Sequence, residues 1–257
     1  MIAEGTPAAR FAREHAHYVE DLPFWRSVAA AVSGPVLDLG AAVGRVAIPL
    51  ARDGHQVWAL DGSADMLAAL RGALAEEDAA VAERVHTVQA DLRAFALDRT
   101  FPLAIMPMNT LQTLLTRRDQ LACLRAVRDH LAPGGELVLD LVVPDLEAAA
   151  RAVGQVQQGV TWRDPATGAT LAHSAWYDAV DPATGTVSFT TRVDETGPEG
   201  AAESHLRPQT VHLFTPTEVW ELSVDAGLEV LAVFGDFDGR PLEPGSERQI
   251  YRCGVAA

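Results

Sequence analysis

A chain of 257 residues with 48% hydrophobic side chains is long enough for an α/β domain carrying an insertion, and too apolar to remain disordered. Its 20 basic against 35 acidic residues leave a formal charge of −15 with no cationic cluster, which argues against nucleic acid, because duplex binding needs grouped cations to displace counterions. Every Lys/Arg position is arginine, so no Schiff-base or phosphate-loop lysine exists, and no run of about 18 apolar residues marks a membrane span.

Residues 1–18 carry Glu4, Arg10, Arg13 and Glu14 and no apolar run of the kind a signal peptide needs. Cys123 and Cys253 stand far apart without metal-ligand spacing. A cytoplasmic protein with neither disulfide framework nor metal site is the expectation. Residues 7–32 read as helical, with Phe11, Tyr18, Leu22, Trp25 and Val28 on one spacing and Pro23 as a break, packing over the mouth of the core.

Val36, Leu37, Asp38 and Leu39 form a short first strand, followed by a small-residue turn and a helical pattern of Val43, Val46, Ala47 and Leu50 that ends at Gly54. Strand, Gly-rich turn and helix make a geometry in which backbone N–H groups and a helix start meet a ligand. Residues 55–60 are the second strand, ending in Asp61-Gly62-Ser63, where Ser63 caps a helix over 64–75 with Asp65 in its first turn. The third strand, 85–90, is closed by Asp91, and the fourth, 103–106, runs into Pro107-Met108-Asn109-Thr110. A helix over 118–131 presents Leu121, Leu124, Val127 and Leu131; Pro133-Gly134-Gly135 stops it, and 136–143 is a fifth, apolar strand.

This alternation implies a doubly wound, mostly parallel sheet, whose ligands bind outside the carboxyl ends of the strands. Asp38, Asp61 and Asp91 sit at three successive strand ends and are expected to converge on one crevice. The pattern changes near residue 160, where segments 159–163, 170–178, 186–195 and 205–214 alternate like β strands. The pentapeptide Asp-Pro-Ala-Thr-Gly occurs at 164–168 and 181–185 and reads as turn chemistry in an antiparallel meander. Thr215-Pro216-Thr217-Glu218 opens a capped helix that closes on Gly227, and strands at 229–234 and 249–255 form a final antiparallel pair.

Three ligand types compete for the first turn. A phosphate loop needs a lysine, and a dinucleotide fingerprint needs glycine where Ala42 and Arg45 stand. The form acidic-x-Gly-x-Gly-x-Gly fits Asp38, Gly40 and Gly44, with Ala42 in the middle place. A carbon at position 42 costs something if the turn needs positive φ there.

On VLDLGAAVGRVAIPLA, Asp61-Gly62-Ser63-Ala64-Asp65-Met66-Leu67, Gln89-Ala90-Asp91-Leu92-Arg93 and Pro133-Gly134-Gly135, the chain resembles the class I S-adenosylmethionine-dependent methyltransferases over residues 35–144 and again in its last helix and hairpin. The meander resembles the insert of the glycine N-methyltransferase-like and aminosugar N,N-dimethyltransferase branches. The resemblance implies a Rossmann-like, mostly parallel seven-stranded α/β sheet with a small antiparallel β insert and N-terminal helices. Residues 1–33 would be a helical cover, 34–158 and 215–257 the cofactor-binding core, and 159–214 a substrate cover.

It also implies S-adenosylmethionine as cofactor. Gly40, Ala41 and Gly44 would hold its methionine part, and Asp38 would face its amino group. Asp61, beside Gly62, would accept both ribose hydroxyls, Asp91 and Leu92 would meet the adenine edge and Met66 its face; Met106 completes the set. Because the sulfonium is already a good leaving group, the protein mainly aligns the nucleophile, with a base needed only where a proton must leave. The stretch after strand four is not Asn-Pro-Pro-Tyr, which points to a small-molecule substrate methylated at N or O. Asn109 either orients the nucleophile or caps the following turn. Tyr18, with His15 and His17, lies in the cover. His173 shares a strand face with Ala175 and Tyr177, with Trp176 turned away, and His205 and His212 are further candidates. A homodimer fits this reading. Non-methylating use of the cofactor, in a cyclisation or rearrangement, and a non-catalytic binding module are the alternatives.

Overall fold

A computed structural model describes residues 6–164 and 167–255; the expectations touching residues 1–5, 165–166 and 256–257 lie outside the described residues. The N-terminal segment is two helices, α1 (Pro7–His15) and α2 (Leu22–Ala30), with Pro at the start of each. There follow β1 (Val36–Leu39), α3 (Ala47–Arg52), β2 (Val57–Asp61), α4 (Ala64–Leu74), α5 (Ala79–Ala82), β3 (Val85–Gln89) and β4 (Phe101–Met106). A short 3-10 turn (Thr110–Thr113), α6 (Arg117–Asp129), β5 (Leu131–Val142) and α7 (Leu146–Arg151) complete the first half of the core. Then come β6 (Gln157–Arg163), β7 (Thr170–Asp181), β8 (Thr186–Thr196), β9 (Ala202–His212), α8 (Pro216–Ala226), β10 (Leu228–Phe234) and β11 (Arg248–Val255).

Seven strands form one sheet in the order β10-β11-β5-β4-β1-β2-β3, and β6-β7-β8-β9 form a separate four-stranded antiparallel sheet. Within the large sheet β11 is the antiparallel strand, hydrogen-bonded to both β5 and β10, so it lies one place in from the edge. β1 is central and buried along its whole length, which is why it is a continuous apolar run broken only by Asp38.

Strand parity divides the core. Leu37, Leu39, Ala104, Met106, Leu137, Leu139 and Tyr251 pack with α6 and α8 on one face. Val36, Leu103, Ile105, Val138 and Ile250 pack with α2, α3 and α4 on the other. Asp38 and Asp140 alternate onto that second face, at the carboxyl ends of neighbouring parts of the sheet, and each is 1% exposed.

The local signals behave as their chemistry requires. Ser63 and Thr116 cap α4 and α6 through their hydroxyls, and Thr215 with Glu218 makes a reciprocal capping box, the Thr215 N–H donating to Glu218 at 2.6 Å. In the β7–β8 hairpin, Asp181 accepts from Ala183 N and Thr184 Oγ1 and Gly185 takes φ 68°, so the pentapeptide is indeed a turn. Three details differ from expectation. Helix α3 begins only at Ala47, because residues 42–46 are spent on a tight turn. β5 starts at Leu131, its register shifting where Pro133-Gly134-Gly135 sits as an irregularity within the strand. α7 has too short a pattern to be legible. Trp176 is turned away from its neighbours Ala175 and Tyr177 as expected: it pairs with Thr190, and its Nε1 donates at 2.9 Å to Asp178, which also accepts from Thr190, on the outer face of the small sheet. Among the described residues, no helix is long and apolar enough to cross a membrane.

Candidate active site

Between the carboxyl ends of β1, β4 and β5, helix α1 and the inner face of the small sheet lies a cavity of about 870 Å3. Its floor is the first turn: Asp38, Gly40, Ala41, Ala42 and Arg45 border it, with Pro107, Met108, Asn109 and Thr110 from the loop after β4.

The turn explains its own sequence. Gly40, Ala42 and Gly44 have φ of 73°, 47° and 86°, so left-handed backbone recurs at every second residue, the places held by glycine in acidic-x-Gly-x-Gly-x-Gly. A Cβ on Gly40 would lie 2.6 Å from Thr110 Cγ2, and one on Gly44 would lie 2.3 Å from Leu70 Cδ1. Gly44 is demanded by its φ, and a Cβ there would also press on the end of the Leu70 side chain of α4. Ala42 does occupy a strained position, and its N–H donates to Asp61 Oδ2 at 2.9 Å, which holds it there.

The expectation of bare N–H groups at this turn is corrected. Gly40 N and Ala41 N both donate to Leu60 O, at 2.8 and 3.0 Å, and Gly44 N donates to Ala41 O at 2.8 Å. With Ala42 N given to Asp61, the turn has spent these donors internally. What stands beside them for a ligand is the Asp38 carboxylate. Asp38 Oδ2 is buried without a hydrogen-bond partner, and burial pushes its pKa up to about 7, with Arg45 opposing and Asp61 adding to the rise. Such a site suits a cationic ligand and disfavours a phosphate.

The expected convergence of three acidic strand ends is not met at the cavity wall: Asp38 borders it, Asp61 reaches it only through Ala42 N, and Asp91 is not part of it. Asp61 is half-buried; Oδ1 accepts from Ser63 N at 2.8 Å and Oδ2 from Ala42 N, leaving one lone pair on each oxygen. Asp91 is exposed and held by Arg93, whose guanidinium and N–H keep its pKa down at about 2. Gly62 is exposed, and Met66 and Leu92 are half-buried in the same region. Met106 is a correction: it is 0% exposed and belongs to the α6–α8 face, because strand parity puts it opposite to Ile105.

Of the proposed catalytic residues, Asn109 and His173 border the cavity and Tyr18 does not. Tyr18 lies between Arg45 and Arg248, whose guanidinium carbons are 4.9 and 5.7 Å from its ring centroid, and burial raises its pKa. Asn109 makes no side-chain cap of the following turn; its Oδ1 accepts from Val142 N at 2.8 Å, tying the loop to β5. Met108 and Asn109 are consecutive non-glycine residues with φ of 62° and 61°. Asp140 Oδ1 supports them by accepting from Met108 N at 2.6 Å, and burial pushes this carboxyl up to about 7, with the Met108 N–H, then Arg248 at 3.7 Å, opposing. His173 Nε2 lies 3.9 Å from Glu14 Oε1, and burial lowers its pKa. His205 and His212 lie outside the cavity wall.

Several wall residues were not picked out by sequence. Arg207 of β9 donates to Glu14 of α1 at 2.8 Å, and Arg13 donates to Glu195 of β8 at 2.6 Å, so two ion pairs clasp α1 to the small sheet. Of the cover residues named from sequence, His15 does border the cavity: its Nδ1 donates to Phe11 O at 2.9 Å, which leaves Nε2 as an acceptor, and burial lowers its pKa to about 4. Gln112 is 3% exposed and its Nε2 has no hydrogen-bond partner. Period-two reading of β9 would have put Arg207, Gln209 and Val211 on one face; nothing local marks Gln112.

Residues 36–135 match a family described as methyltransferase domain. A cypemycin N-terminal methyltransferase from Streptomyces sp is 34% identical over 109 residues, which are 42% of this chain and 42% of that protein. The chain thus spans about two-fifths of the length of that curated relative. The structure of the CcbJ methyltransferase from Streptomyces caelestis superposes with a TM-score of 0.73 at 26% identity, covering 92% of this chain and 96% of the other. The glycopeptide N-methyltransferase MtfA complexed with S-adenosyl-L-methionine gives a TM-score of 0.60 at 26% identity, over 93% of this chain and 96% of its own.

Proposed function

We propose that this chain, whose residues 36–135 belong to the methyltransferase domain family and whose fold is that of the class I S-adenosylmethionine-dependent methyltransferases, methylates a small molecule at an N or O atom with S-adenosylmethionine as cofactor. The observation that carries this reading is the first turn. The N–H groups of Gly40, Ala41, Ala42 and Gly44 are used internally, while Asp38 keeps a buried, unpartnered carboxylate oxygen on the cavity wall. A ligand carrying an ammonium and a sulfonium matches that acceptor better than any phosphate does.

The residues present fit the cofactor. Asp38 would receive its ammonium, the turn from Gly40 to Gly44 would lie along its methionine part, and Asp61 would accept the ribose hydroxyls with its remaining lone pairs. Asp91 and Leu92 would meet the adenine edge, with Met66 and Gly62 beside it. Bound there, S-adenosylmethionine would supply a methyl group on a sulfonium that leaves as a neutral thioether. The chain's own part is to align the nucleophile and exclude water. Asn109 and His173 do this from two walls of the cavity, and Asp140 holds the strained loop that carries Asn109. His15 and His173, both lowered by burial, are neutral at pH 7 and accept a hydrogen bond from the nucleophile; whichever takes its proton once the methyl group has moved becomes an imidazolium. Helices α1 and α2 and the small sheet (within 159–214) enclose the substrate over the core. Two buried, unpaired cysteines fit a reducing cytoplasm.

Incubation of the protein with S-adenosylmethionine and fractionated small metabolites is the test. Release of S-adenosylhomocysteine together with a product heavier by one methyl group is expected. Cofactor consumption without a methylated product would overturn the reading.

A further inference from the structure

The inner face of the small sheet is graded along its strands. Directly paired residues give one row of Ala175, Thr191 and Arg207, a second of Tyr177, Phe189 and Gln209, and Val187 beside Val211 beyond them. All border the cavity, whereas the outer face carries polar pairs such as Ser188 with Thr210, whose hydroxyls are 2.9 Å apart. The aromatic pair Tyr177–Phe189 is half-buried, and the apolar wall continues over α7, which packs on β7 and presents Ala148, Ala149 and Ala152.

The guanidinium groups of the wall lie at the other end and are neutralised in place. Arg207 is paired with Glu14, and Arg45 with Asp21 at 2.6 Å, so neither guanidinium awaits an anion. Between the graded face and the first turn sits the 3-10 turn: Thr110 abuts Gly40, and the same turn packs on β9. It carries Gln112, whose buried Nε2 lacks an acceptor. An orphaned amide donor on a cavity wall costs free energy until something accepts from it.

Resting on the methyltransferase reading above, we propose that the substrate is a molecule without a fixed anionic group, built on a planar ring system that lies on Tyr177 and Phe189 and presents an acceptor oxygen to Gln112. The flat ring matches an aromatic pair set side by side on one sheet face, where ring stacking adds to simple burial. The cavity volume suits a ligand of drug size, in the range of about 300–1,000 Å3. The alanine surface of α7 leaves room for a ring where larger side chains would fill it.

The test uses umbelliferone, a planar phenol with a carbonyl oxygen, and glucosamine, a hydroxylated ring that is not planar. Each is titrated calorimetrically into the full-length protein saturated with S-adenosylhomocysteine. Umbelliferone is expected to bind at submillimolar concentration and at least tenfold more tightly than glucosamine. Gln112→Leu should weaken it about tenfold, as should Phe189→Ala, with S-adenosylhomocysteine affinity unchanged in both. If Phe189→Ala does not fold, Gln112→Leu alone decides. Glucosamine binding as tightly as umbelliferone, or umbelliferone affinity unmoved by the substitutions, overturns the proposal. Failure of S-adenosylhomocysteine itself to bind would instead count against the methyltransferase reading, and the titration of the free protein then tests the ring site by itself.

Discussion

Single residues decide how the first turn works. Ala42 holds φ 47°, a conformation that costs an L-residue about 1–2 kcal/mol and glycine almost nothing. Glycine gives part of this back through its more flexible unfolded chain. Ala42→Gly is therefore expected to leave stability unchanged or raise it by less than about 1 kcal/mol, whereas Ala42→Val, branched at a left-handed position, should lose about 2 kcal/mol in urea unfolding. Equal losses for both would mean that φ is not what constrains this site. Asp38 makes a second prediction. Its folded pKa of about 7 lies above the ordinary 3.8, so its contribution to stability is full below the unfolded value and is lost as pH rises through about 7. In the absence of cofactor, Asp38→Asn should be more stable than the parent at pH 8, by up to about 4 kcal/mol, with the gap narrowing toward pH 5. The same substitution should weaken S-adenosylmethionine binding, because the acceptor for its ammonium loses its charge. A gap that does not change with pH would remove Asp38 from this role.

At the scale of elements, the helical cover is tied to the core through one buried ion pair. Arg45 leaves the first turn and donates to both oxygens of Asp21, at 2.6 and 2.7 Å, and to Tyr18 O at 3.1 Å, while Trp25 Nε1 donates to Asp21 at 2.9 Å. Asp21 is 0% exposed, so removing its partner strands a buried charge. Arg45→Met should cost about 3–5 kcal/mol, and Asp21→Asn in the same background should recover part of it; thermal unfolding of the two variants measures both. A loss below about 1 kcal/mol would show that the pair does not carry the junction. This link is also where sequence reading ran short. The mismatch of Arg45 with a dinucleotide fingerprint was legible, but its partner lies 24 residues earlier in the chain, and only the tertiary fold brings them together. The helices, strands and caps were legible because hydrophobic period, Ser/Thr caps and glycine stops act locally. α7 was not, because six residues, Leu146–Arg151, contain no apolar period to read.

For the whole molecule, the order of acidic strand ends and the change from helical to alternating pattern near residue 160 sufficed for a mostly parallel sheet with an antiparallel one beside it. The site was legible on its cofactor side and not on its substrate side. Asp38, Gly40 and Asp61 stand at positions fixed by strand ends. Glu14, Gln112 and Arg207 come from α1, a 3-10 turn and β9, and meet only when the small sheet folds over the core. Met106 was misplaced for a simpler reason: parity with Ala104 puts it inside the core. The spent N–H groups of the turn were invisible because their acceptors, Leu60 O and Asp61, belong to the next strand. Calorimetric titration of S-adenosylmethionine and S-adenosylhomocysteine into the parent protein and Asp61→Ala bears most directly on the cofactor assignment. Micromolar binding to the parent, weakened at least tenfold in Asp61→Ala by loss of the charged acceptor for the ribose hydroxyls, is the expected result. Absence of binding below about millimolar for both ligands, or an affinity untouched by Asp61→Ala, would contradict it.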